Sequence, residues 1–430
     1  MSRTDEPTFA RAMPPRSVQA FHRLSNPNAS TAASLRVDHP IYLDYHATTP
    51  TDPRVIDAML PWLRDHVGNP HSHTHAAGRA ASEAIEAARA EIASLIGASP
   101  NEIVFTSGAT EATNLALRGV IAKKRGHIVT TAIEHSCVRE TVASLQRHGA
   151  PASVVNVGAE GLVEPAEIAD AITDRTRIVS VMLVNNETGV EQPLGEIATI
   201  CRAADVLLHS DAAQALGKMA IDTARLGVDF LSLASHKVYG PPGIGALFCR
   251  VSARPELRPT FTGGGQERGL RPGTLPTALC VGFGAACAIL AREGATEAER
   301  IRGHRDYLLQ RLASLVDGMH VNGTLEHRVA GNLNVAFEGI DADVLLARLP
   351  DLALSTGSAC ASAAFEPSHV LVAMGVPRAL VMGSLRMCIG RQTTRAEVEI
   401  AAVRIAEEVR RLRTSATRAQ GRPAIRGRRA

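Results

Sequence analysis

The segment Leu231–Gly243 reads Leu-Ser-Leu-Ala-Ser-His-Lys-Val-Tyr-Gly-Pro-Pro-Gly. Its apolar start is typical of a buried strand, and the Pro/Gly turn at its end excludes both a longer strand and a helix. The strand therefore brings His236 and Lys237 to its carboxyl end. A desolvated lysine at such a place loses its proton easily, and its amine can form a Schiff base. For this segment alone, a surface lysine before a turn is the ordinary alternative.

Residues 80–250 alternate short apolar runs with amphipathic stretches. The predicted strands are Ile103–Phe105, Ile128–Val129, Ile178–Val184, Val206–Leu208 and Phe230–Leu233. The predicted helices are Ser82–Ile96, Thr110–Lys124, Val138–His148 and Gly195–Ala204. This alternation predicts an α/β fold in which helices cover both faces of a mostly parallel sheet.

A change of composition near residues 291–300 predicts a long helix that leads into a second lobe. In that lobe Asn332–Phe337 and Leu385–Ile389 are predicted strands and Arg395–Leu412 is a predicted helix, so we expect a smaller α+β C-terminal domain. The expected organisation is a disordered extension (1–40), a segment that packs with the small domain (41–50), a large domain (51–294), the small domain (295–413) and a basic disordered tail (414–430).

The composition indicates a soluble globular protein, since 45% of the 430 residues are hydrophobic, 21% are charged and the formal net charge is +3. No apolar run approaches the ~20 residues that cross a bilayer, so we predict no membrane partner. Seven cysteines without a CxxC pair argue against a zinc ribbon or a disulfide framework and favour a reducing compartment.

The two termini bear on location and partners. Residues 1–40 contain Arg and Ser but also Asp5 and Glu6, so we expect a cytoplasmic protein, with a mitochondrial one as the alternative. Arginines crowd the C-terminus from Arg410 to Arg429. They predict a solvated tail; a tail that contacts RNA or a membrane is the alternative, and we predict no nucleic-acid partner.

Polar residues follow each predicted strand. They are Thr106–Glu111, Glu134-His135, Asn185–Glu187, His209–Gln214 and His236-Lys237. Ligands of doubly wound sheets bind beyond the carboxyl ends of the strands, so we expect these residues at one mouth. Thr106–Glu111 opens a helix whose N–H groups can hold a phosphate, although an ordinary Ser/Thr N-cap is the alternative. Together the residues supply the anion site, stacking group, acid and amine that pyridoxal 5'-phosphate needs.

With these motifs the chain resembles the cysteine desulfurases, pyridoxal-phosphate enzymes of fold type I in the class V aminotransferase superfamily, in their NifS/IscS-like branch. The resemblance runs from Ile41 to about Leu412. Its motifs, in order, are Ile41–Tyr45, Ala47–Pro50, Gly68–Pro70, Phe105–Glu111, Val184–Glu187, His236–Pro241, Gly263–Gly269, Gly273–Pro276 and Ser355–Cys360. It implies a fold-type I architecture and bound pyridoxal phosphate.

The resemblance also implies residue roles. Lys237 would carry the cofactor as a Schiff base, and His135 would stack on its ring. Asp211 would pair with the pyridine nitrogen, while Asn186 and Gln214 would bond the cofactor's edge.

At the phosphate, the resemblance implies contacts from Ala109, Thr110 and His236. Thr274 would reach the partner subunit's cofactor, which implies a homodimer. The serine that the family usually has three residues before the lysine is Ala234 here. We expect Ser235 to take its place, with somewhat weaker cofactor retention.

Leu354–Ala364 consists mostly of small residues, which predicts a mobile loop with Cys360 at its centre. A cysteine in such a loop can be exposed and ionised, so Cys360 is the predicted nucleophile. Cys137, close to His135, and Cys388, on the same strand face as Arg386, are the alternatives.

Other residues carry weaker signals. Cys201, Cys280 and Cys287 lie in apolar helical settings, which predict buried and inert thiols. Arg386, in an apolar strand, is predicted to clamp the substrate's α-carboxylate, with a structural salt bridge as the alternative. The run His71–His75 has alternate histidines that could bind a metal, but the preceding turn argues against this, and we predict no metal.

The expected function is the conversion of L-cysteine to L-alanine, in which Lys237 moves the Cα proton, His135 handles the thiol proton and Cys360 takes the sulfur as a persulfide. The persulfide would pass to an acceptor protein, such as an iron–sulfur scaffold, or to thio-cofactor biosynthesis. The alternatives are a selenocysteine or C–S lyase on the same scaffold and, in another class, a non-catalytic RNA-binding paralogue.

Overall fold

The computed structural model describes residues 40–356 and 367–420. Its strands are β1 Ile41–Tyr42, β2 Ile103–Thr106, β3 His127–Thr131, β4 Ala152–Val155, β5 Thr176–Ser180, β6 Leu207–Asp211, β7 Phe230–Ala234, β8 Gly245–Cys249, β9 Met319–Val321, β10 Asn332–Phe337, β11 Leu352–Ala353 and β12 Ser384–Cys388. Its helices are α1 Pro53–Arg64, α2 Ala76–Leu95, α3 Ala109–Lys123, α4 Ser136–Arg147, α5 Pro165–Ala171, α6 Leu194–Ala203, α7 Thr223–Leu226, α8 Thr277–Leu315, α9 Ala342–Ala347, α10 His369–Ala373, α11 Arg378–Met382 and α12 Arg395–Gln420.

A seven-stranded sheet forms the centre of the molecule, in the order β2-β8-β7-β6-β5-β3-β4. Neighbours from β7 to β4 pair in parallel, and β8 alone in this sheet runs antiparallel to both its neighbours. Successive residues alternate between two apolar cores, so that Leu231 packs on one face and Phe230 on the other. The predicted α/β fold with a mostly parallel sheet covered on both faces is confirmed.

A third apolar core, the C-terminal core, belongs to the last part of the chain. The antiparallel sheet β12-β10-β9 packs with α12 and the end of α8, while β1 pairs in parallel with β11. Helix α8 contributes Phe283 to a core of the large sheet and Leu308 to the C-terminal core. The domain boundary predicted between residues 294 and 295 therefore falls inside a continuous helix.

Helix α8 is also the only helix in the described ranges that is long and apolar enough to cross a membrane. It packs against α1, α2 and α12, which is the setting of a core helix in a globular protein.

The chain is helical beyond the predicted end of its last helix. Helix α12 continues past Leu412 to Gln420, into the stretch predicted to be a disordered tail. Arginine and alanine favour helix, and the hydroxyls of Thr414 and Ser415 donate to the carbonyls of Arg410 and Arg411 instead of breaking it. The prediction of disorder from residue 414 is therefore corrected for residues 414–420.

Gly245, the first residue of β8, allows a close approach that positions the start of α3. A Cβ atom placed on it would meet the carbonyl oxygen of Leu233 and lie 2.6 Å from the Cα of Gly108, which precedes α3. Both neighbours are backbone atoms, so neither can rotate away.

We therefore predict that Gly245→Ala lowers the free energy of unfolding by about 1–3 kcal/mol, because the added methyl group overpacks this junction. Urea unfolding followed by circular dichroism measures the change. Gly303→Ala is the matched control, because Gly303 is an exposed residue inside α8 with nothing within 4 Å of an added Cβ. That change should be neutral or stabilising by up to about 1 kcal/mol, and equal losses in both variants would contradict the argument.

Candidate active site

One cavity opens at the carboxyl ends of β5, β6 and β7, beside the first turn of α3, and holds about 1090 Å³ free of protein atoms. The predicted site residues that line it are Ala109, Thr110, His135, Asn186, Asp211, Gln214, His236 and Lys237. Their convergence follows from the topology, because parallel strands end at the same edge of the sheet.

Lys237 reaches the cavity from a short 3₁₀ turn, Ser235–Lys237, that directly follows β7. Its Nζ donates to the carbonyl oxygens of His46 at 2.6 Å and Ala47 at 2.7 Å. The N–H of Thr49 in turn donates to the carbonyl of His236 at 2.9 Å. The amine is therefore held at the rim of the cavity by backbone oxygens of the N-terminal segment.

Asp211, the last residue of β6, presents a carboxylate that is 5% exposed. Its Oδ1 accepts from the backbone N–H of Ala213 at 2.9 Å, and its Oδ2 lies 3.6 Å from the Sγ of Cys137. Burial, together with the charge of Asp211, raises the pKa of Cys137 well above its usual range. The thiol stays protonated, so it donates to Asp211 and cannot be a thiolate nucleophile in this setting.

Glu134 lies close to Asp211 but stays neutral at pH 7. Burial raises its pKa to about 8, although the hydroxyl of Thr131 and the N–H of Met182 both donate to its Oε1, at 2.7 and 2.9 Å. The negative charge of Asp211 contributes to this raised pKa. Glu134 therefore adds no second negative charge beside Asp211.

The first turn of α3 is the candidate anion site. Helix α3 begins at Ala109, and N–H groups in the first turn of a helix have no partner within the helix. Thr110 lies in the same turn and lines the cavity. His236 faces the same space as a neutral ring, because burial and the charges of Lys237 and Lys218 lower its pKa to about 4.

His135 caps the N-terminus of α4. Its Nδ1 accepts a hydrogen bond of 3.2 Å from the backbone N–H of Cys137. The neutral ring therefore carries its proton on Nε2. This contact also fixes the orientation of the ring at the cavity.

Arg386 is placed by β12 of the small domain, and its side chain is 4% exposed. It donates to the carbonyl of Asn186 at 3.0 Å and to Oδ1 of Asp44 at 2.7 Å. Among the described residues its buried Nε has no hydrogen-bond partner. The structural salt bridge considered from the sequence is thus present, and it leaves one guanidinium donor for another acceptor.

Three predicted residues that the structure describes, Ser235, Thr274 and Arg386, are not among the side chains that line the cavity. Ser235 does not line the cavity: its Oγ is buried against Gly240, because the turn after β7 directs it away from the side that Ala234 faces. The position of Ser235 lends no support to the expectation that it replaces the missing phosphate contact, which stays a prediction. Thr274 is exposed and does not line the cavity of its own chain. Cys360 lies outside the described residues.

The remaining rival nucleophile, Cys388, is also buried, and burial raises its pKa to about 11. The thiols predicted to be inert are buried as expected. Burial raises the pKa of Cys201 and Cys280 to about 12 and raises that of Cys287 further.

The sequence analysis did not foresee two partners in the site, His46 and Asp44. Both lie in the N-terminal motif that carried the resemblance, but no side-chain pattern signals a backbone carbonyl as a partner of Lys237. An acidic residue directly after a short apolar run was the available signal for Asp44.

The candidate metal-binding group in the structure is not the run of histidines that the sequence analysis considered. Within the described residues, one group of side chains has ligand atoms close enough to share an ion, namely His135, Cys137 and Asp211, within 4.8 Å of one another. All three belong to the cavity described above. His75 instead caps α2, where its Nδ1 accepts from the N–H of Gly78.

The donor set of the cavity fits pyridoxal 5'-phosphate. It combines an amine, a buried carboxylate, a helix N-terminus and a histidine ring, and the Oδ1 of Asn186 is buried there without a hydrogen-bond partner among the described residues. These groups match the aldehyde, pyridine nitrogen, phosphate and ring of the cofactor. A mostly parallel sheet with such a site defines a pyridoxal-phosphate enzyme of fold type I.

Comparisons with known proteins agree. The family model described as Aminotransferase class-V matches residues 41–400. The chain is 49% identical over 383 residues to "Cysteine desulfurase, mitochondrial" of Eremothecium gossypii, covering 88% of this chain and 78% of that protein. It is 45% identical over 377 residues to "Cysteine desulfurase IscS" of Rickettsia bellii, covering 87% of this chain and 92% of that protein.

Solved structures give the same result. A structure titled "NIFS-LIKE PROTEIN" superposes with a TM-score of 0.80 at 35% identity, covering 86% of this chain and 98% of that one. "SspA in complex with cysteine" superposes with a TM-score of 0.75 at 36% identity, covering 82% and 99%. The chain belongs to the class-V aminotransferase family, which is pyridoxal-phosphate dependent, and within it to the cysteine desulfurases.

We predict that Glu134→Gln changes how stability depends on pH. Wild-type Glu134 holds its proton up to about pH 8 when folded but ionises at about pH 4.5 when unfolded. The folded state therefore binds the extra proton in this window, and wild-type stability falls as the pH rises through it. Glutamine cannot ionise. The free energy of unfolding of Glu134→Gln, measured relative to that of wild type at the same pH, should therefore rise steadily from pH 5 to pH 8. Urea unfolding at four pH values measures this, and parallel pH profiles would contradict it.

Proposed function

We propose that this protein converts L-cysteine to L-alanine at the cavity described above and transfers the sulfur to Cys360 as a persulfide. The observation that carries the proposal is the meeting of Lys237 and Asp211 at one cavity, in a chain 45–49% identical to proteins named cysteine desulfurase. Bound there, pyridoxal phosphate supplies a carbonyl group for the lysine and an electron sink for the substrate.

Asp211 and the start of α3 hold the cofactor's two ends. Asp211 offers its carboxylate to the pyridine nitrogen, and its neighbours, the Glu134 carboxyl group and the Cys137 thiol, are neutral at pH 7. It is therefore suited to keep a proton on the pyridine nitrogen. Ala109, Thr110 and the neutral ring of His236 bind the phosphate, and Gln214 and Asn186 bond the edge of the ring.

Lys237 is the Schiff-base residue and the base for the substrate. Its Nζ donates to the backbone carbonyls of His46 and Ala47 at the rim of the cavity, and the amine would exchange these contacts for the cofactor. The same Nζ, when not bonded to the cofactor, would take the proton from the substrate Cα.

Arg386 and His135 position the substrate. The buried Nε of Arg386 is aimed from the small domain, and the guanidinium binds the α-carboxylate of cysteine, next to Asn186. His135 carries its proton on Nε2 and would donate it towards the substrate's sulfur.

Cys360 accepts the sulfur. Its thiolate attacks the substrate sulfur, so that an S–S bond forms while the substrate's C–S bond breaks, and the electron pair of that bond is protonated to give alanine. The rival thiols, Cys137 and Cys388, are buried and have raised pKa values, which supports this assignment. A thiol acceptor protein then takes the sulfur by exchange, for iron–sulfur cluster or thio-cofactor biosynthesis.

The protein acts as a homodimer in this proposal. One face of α1 exposes Ile56, Leu60 and Leu63, spaced four and three residues apart, and their side chains are 42–68% exposed. An exposed apolar stripe of this kind supports an interface with a second copy. Thr274 is exposed, which is compatible with its contact to the partner subunit's cofactor. The relatives include mitochondrial and bacterial proteins, so a cytoplasmic location stays a prediction.

We predict that Lys237→Ala abolishes both the absorbance band at about 420 nm and alanine formation. The fold should remain, because the contacts of Lys237 with the carbonyls of His46 and Ala47 lie at the rim of the cavity and not in an apolar core. Visible spectroscopy, an alanine assay and circular dichroism measure the three properties. Lys124→Ala, at an exposed position after α3, serves as control and should match wild type; appreciable activity in Lys237→Ala would refute the assignment.

We predict that Cys360→Ser keeps the cofactor band but lowers alanine formation by at least about 100-fold, because a hydroxyl is not ionised at neutral pH and does not attack sulfur. Mass spectrometry of tryptic peptides should find the persulfide on Cys360 in wild type and nowhere in the variant. Cys201→Ser, a buried thiol on α6, is the matched control and should retain activity. Full turnover by Cys360→Ser would favour the alternative function, a lyase. A persulfide found on Cys137 or Cys388 would show that this cysteine, and not Cys360, is the nucleophile.

A further inference from the structure

Lys218 lies seven residues beyond the end of β6 and has no part in the mechanism above. Its Nζ donates to Oε1 of Gln214 at 2.6 Å. It does not line the cofactor cavity. Instead it lines a second, smaller cavity behind Lys237, together with His46 and apolar side chains such as Leu290.

The contact fixes which end of the Gln214 amide faces the active site. An ammonium group can only donate hydrogen bonds, so it must meet the amide oxygen and not the NH₂ group. The NH₂ group is then directed the other way, where Nε2 donates to the carbonyl oxygen of His46 at 2.8 Å. Lys237 donates to the same oxygen at 2.6 Å. The amide N–H groups of Gln214 therefore lie beside the Schiff-base lysine.

This orientation matters for the cofactor's chemistry. The aldehyde carbon that a lysine captures has a phenolic oxygen on the adjacent ring atom, and that oxygen accepts hydrogen bonds. An amide that presents N–H stabilises the ionised oxygen, whereas a reversed amide would place two acceptors against each other. A glutamine alone has no preference between these orientations, so its neighbours decide: the ammonium group of Lys218 can only donate to the amide, and the carbonyl of His46 can only accept from it.

The charges around Lys218 reinforce the arrangement. Burial, together with the charges of Lys237 and Arg386, lowers the pKa of Lys218 to about 7, while the nearby Cys388 acts in the opposite direction. When Lys237 gives up its charge to the cofactor, the largest of these charge effects disappears. The ammonium form of Lys218 is thus favoured in the loaded enzyme.

We propose that Lys218 is a positioning residue, which acts through Gln214 to present an N–H donor to the cofactor's phenolic oxygen. This inference rests on the proposed role of Gln214 in cofactor binding. It assigns to Lys218 no contact with substrate or cofactor.

The test is a double-mutant cycle read by spectroscopy. The variants are Lys218→Met, Gln214→Ala and the pair of them, and the readouts are the pH midpoint of the cofactor's visible band and the Kd for pyridoxal phosphate. We expect Lys218→Met to shift the midpoint to higher pH and to weaken binding by about tenfold, the loss expected for one such hydrogen bond. In the Gln214→Ala background the same change should have no further effect on either readout.

Two further variants sharpen the result. Gln214→Glu keeps an oxygen for Lys218 but has no N–H to offer, so its midpoint should shift at least as far as that of Lys218→Met. Lys123→Met, an exposed lysine at the end of α3, is the control for charge loss and should titrate like wild type. An unchanged midpoint in Lys218→Met or Gln214→Glu, or additive effects in the cycle, would overturn the inference. Wild-type protein without the visible band would instead overturn the proposed function.

Discussion

The backbone of residues 43–52 is hydrogen-bonded both to the C-terminal part of the chain and to the turn that follows β7 of the large sheet. On one side the N–H of Leu43 donates to the carbonyl of Ala353, and Cys388 donates to the carbonyl of Leu43. On the other side the N–H of Thr49 donates to the carbonyl of His236, and Lys237 donates to two carbonyls of the same segment. The position of the amine beside the large sheet is thus tied to β12, the strand of the small antiparallel sheet that carries Arg386.

The sequence predicted most of the sheet because buried parallel strands leave continuous apolar runs bounded by polar residues. Strands without that signal were missed. β4 is an edge strand that exposes Val154, and β8 begins at a glycine and runs antiparallel. The convergence of Lys237, Asp211 and His135 was predictable because parallel topology brings strand ends together. The direction of the Ser235 side chain was not predictable. Side chains alternate between the two faces only within a strand, and the 3₁₀ turn after β7 ends that alternation.

Charge at the site is arranged by burial as much as by residue type. Around Asp211 lie a carboxyl group and a thiol that burial keeps protonated, and His236 at the anion site is kept neutral. The sequence names these groups but not their protonation states, since those depend on depth and on neighbours. The same holds for Lys218, whose effect on Gln214 depends on a contact that spacing alone does not reveal.

The burial of Cys137, Cys201, Cys249, Cys280, Cys287 and Cys388 has a kinetic consequence for a protein that handles sulfane sulfur. A persulfide is passed on by thiolate attack, so each ionised thiol on the same chain competes with the intended recipient. A thiol with a pKa of about 12, such as that of Cys201, is ionised to only about one part in 10⁵ at pH 7. Transfer of the persulfide sulfur to these buried cysteines of the same chain is therefore slow. The lifetime of the persulfide then depends on how fast external acceptors remove its sulfur.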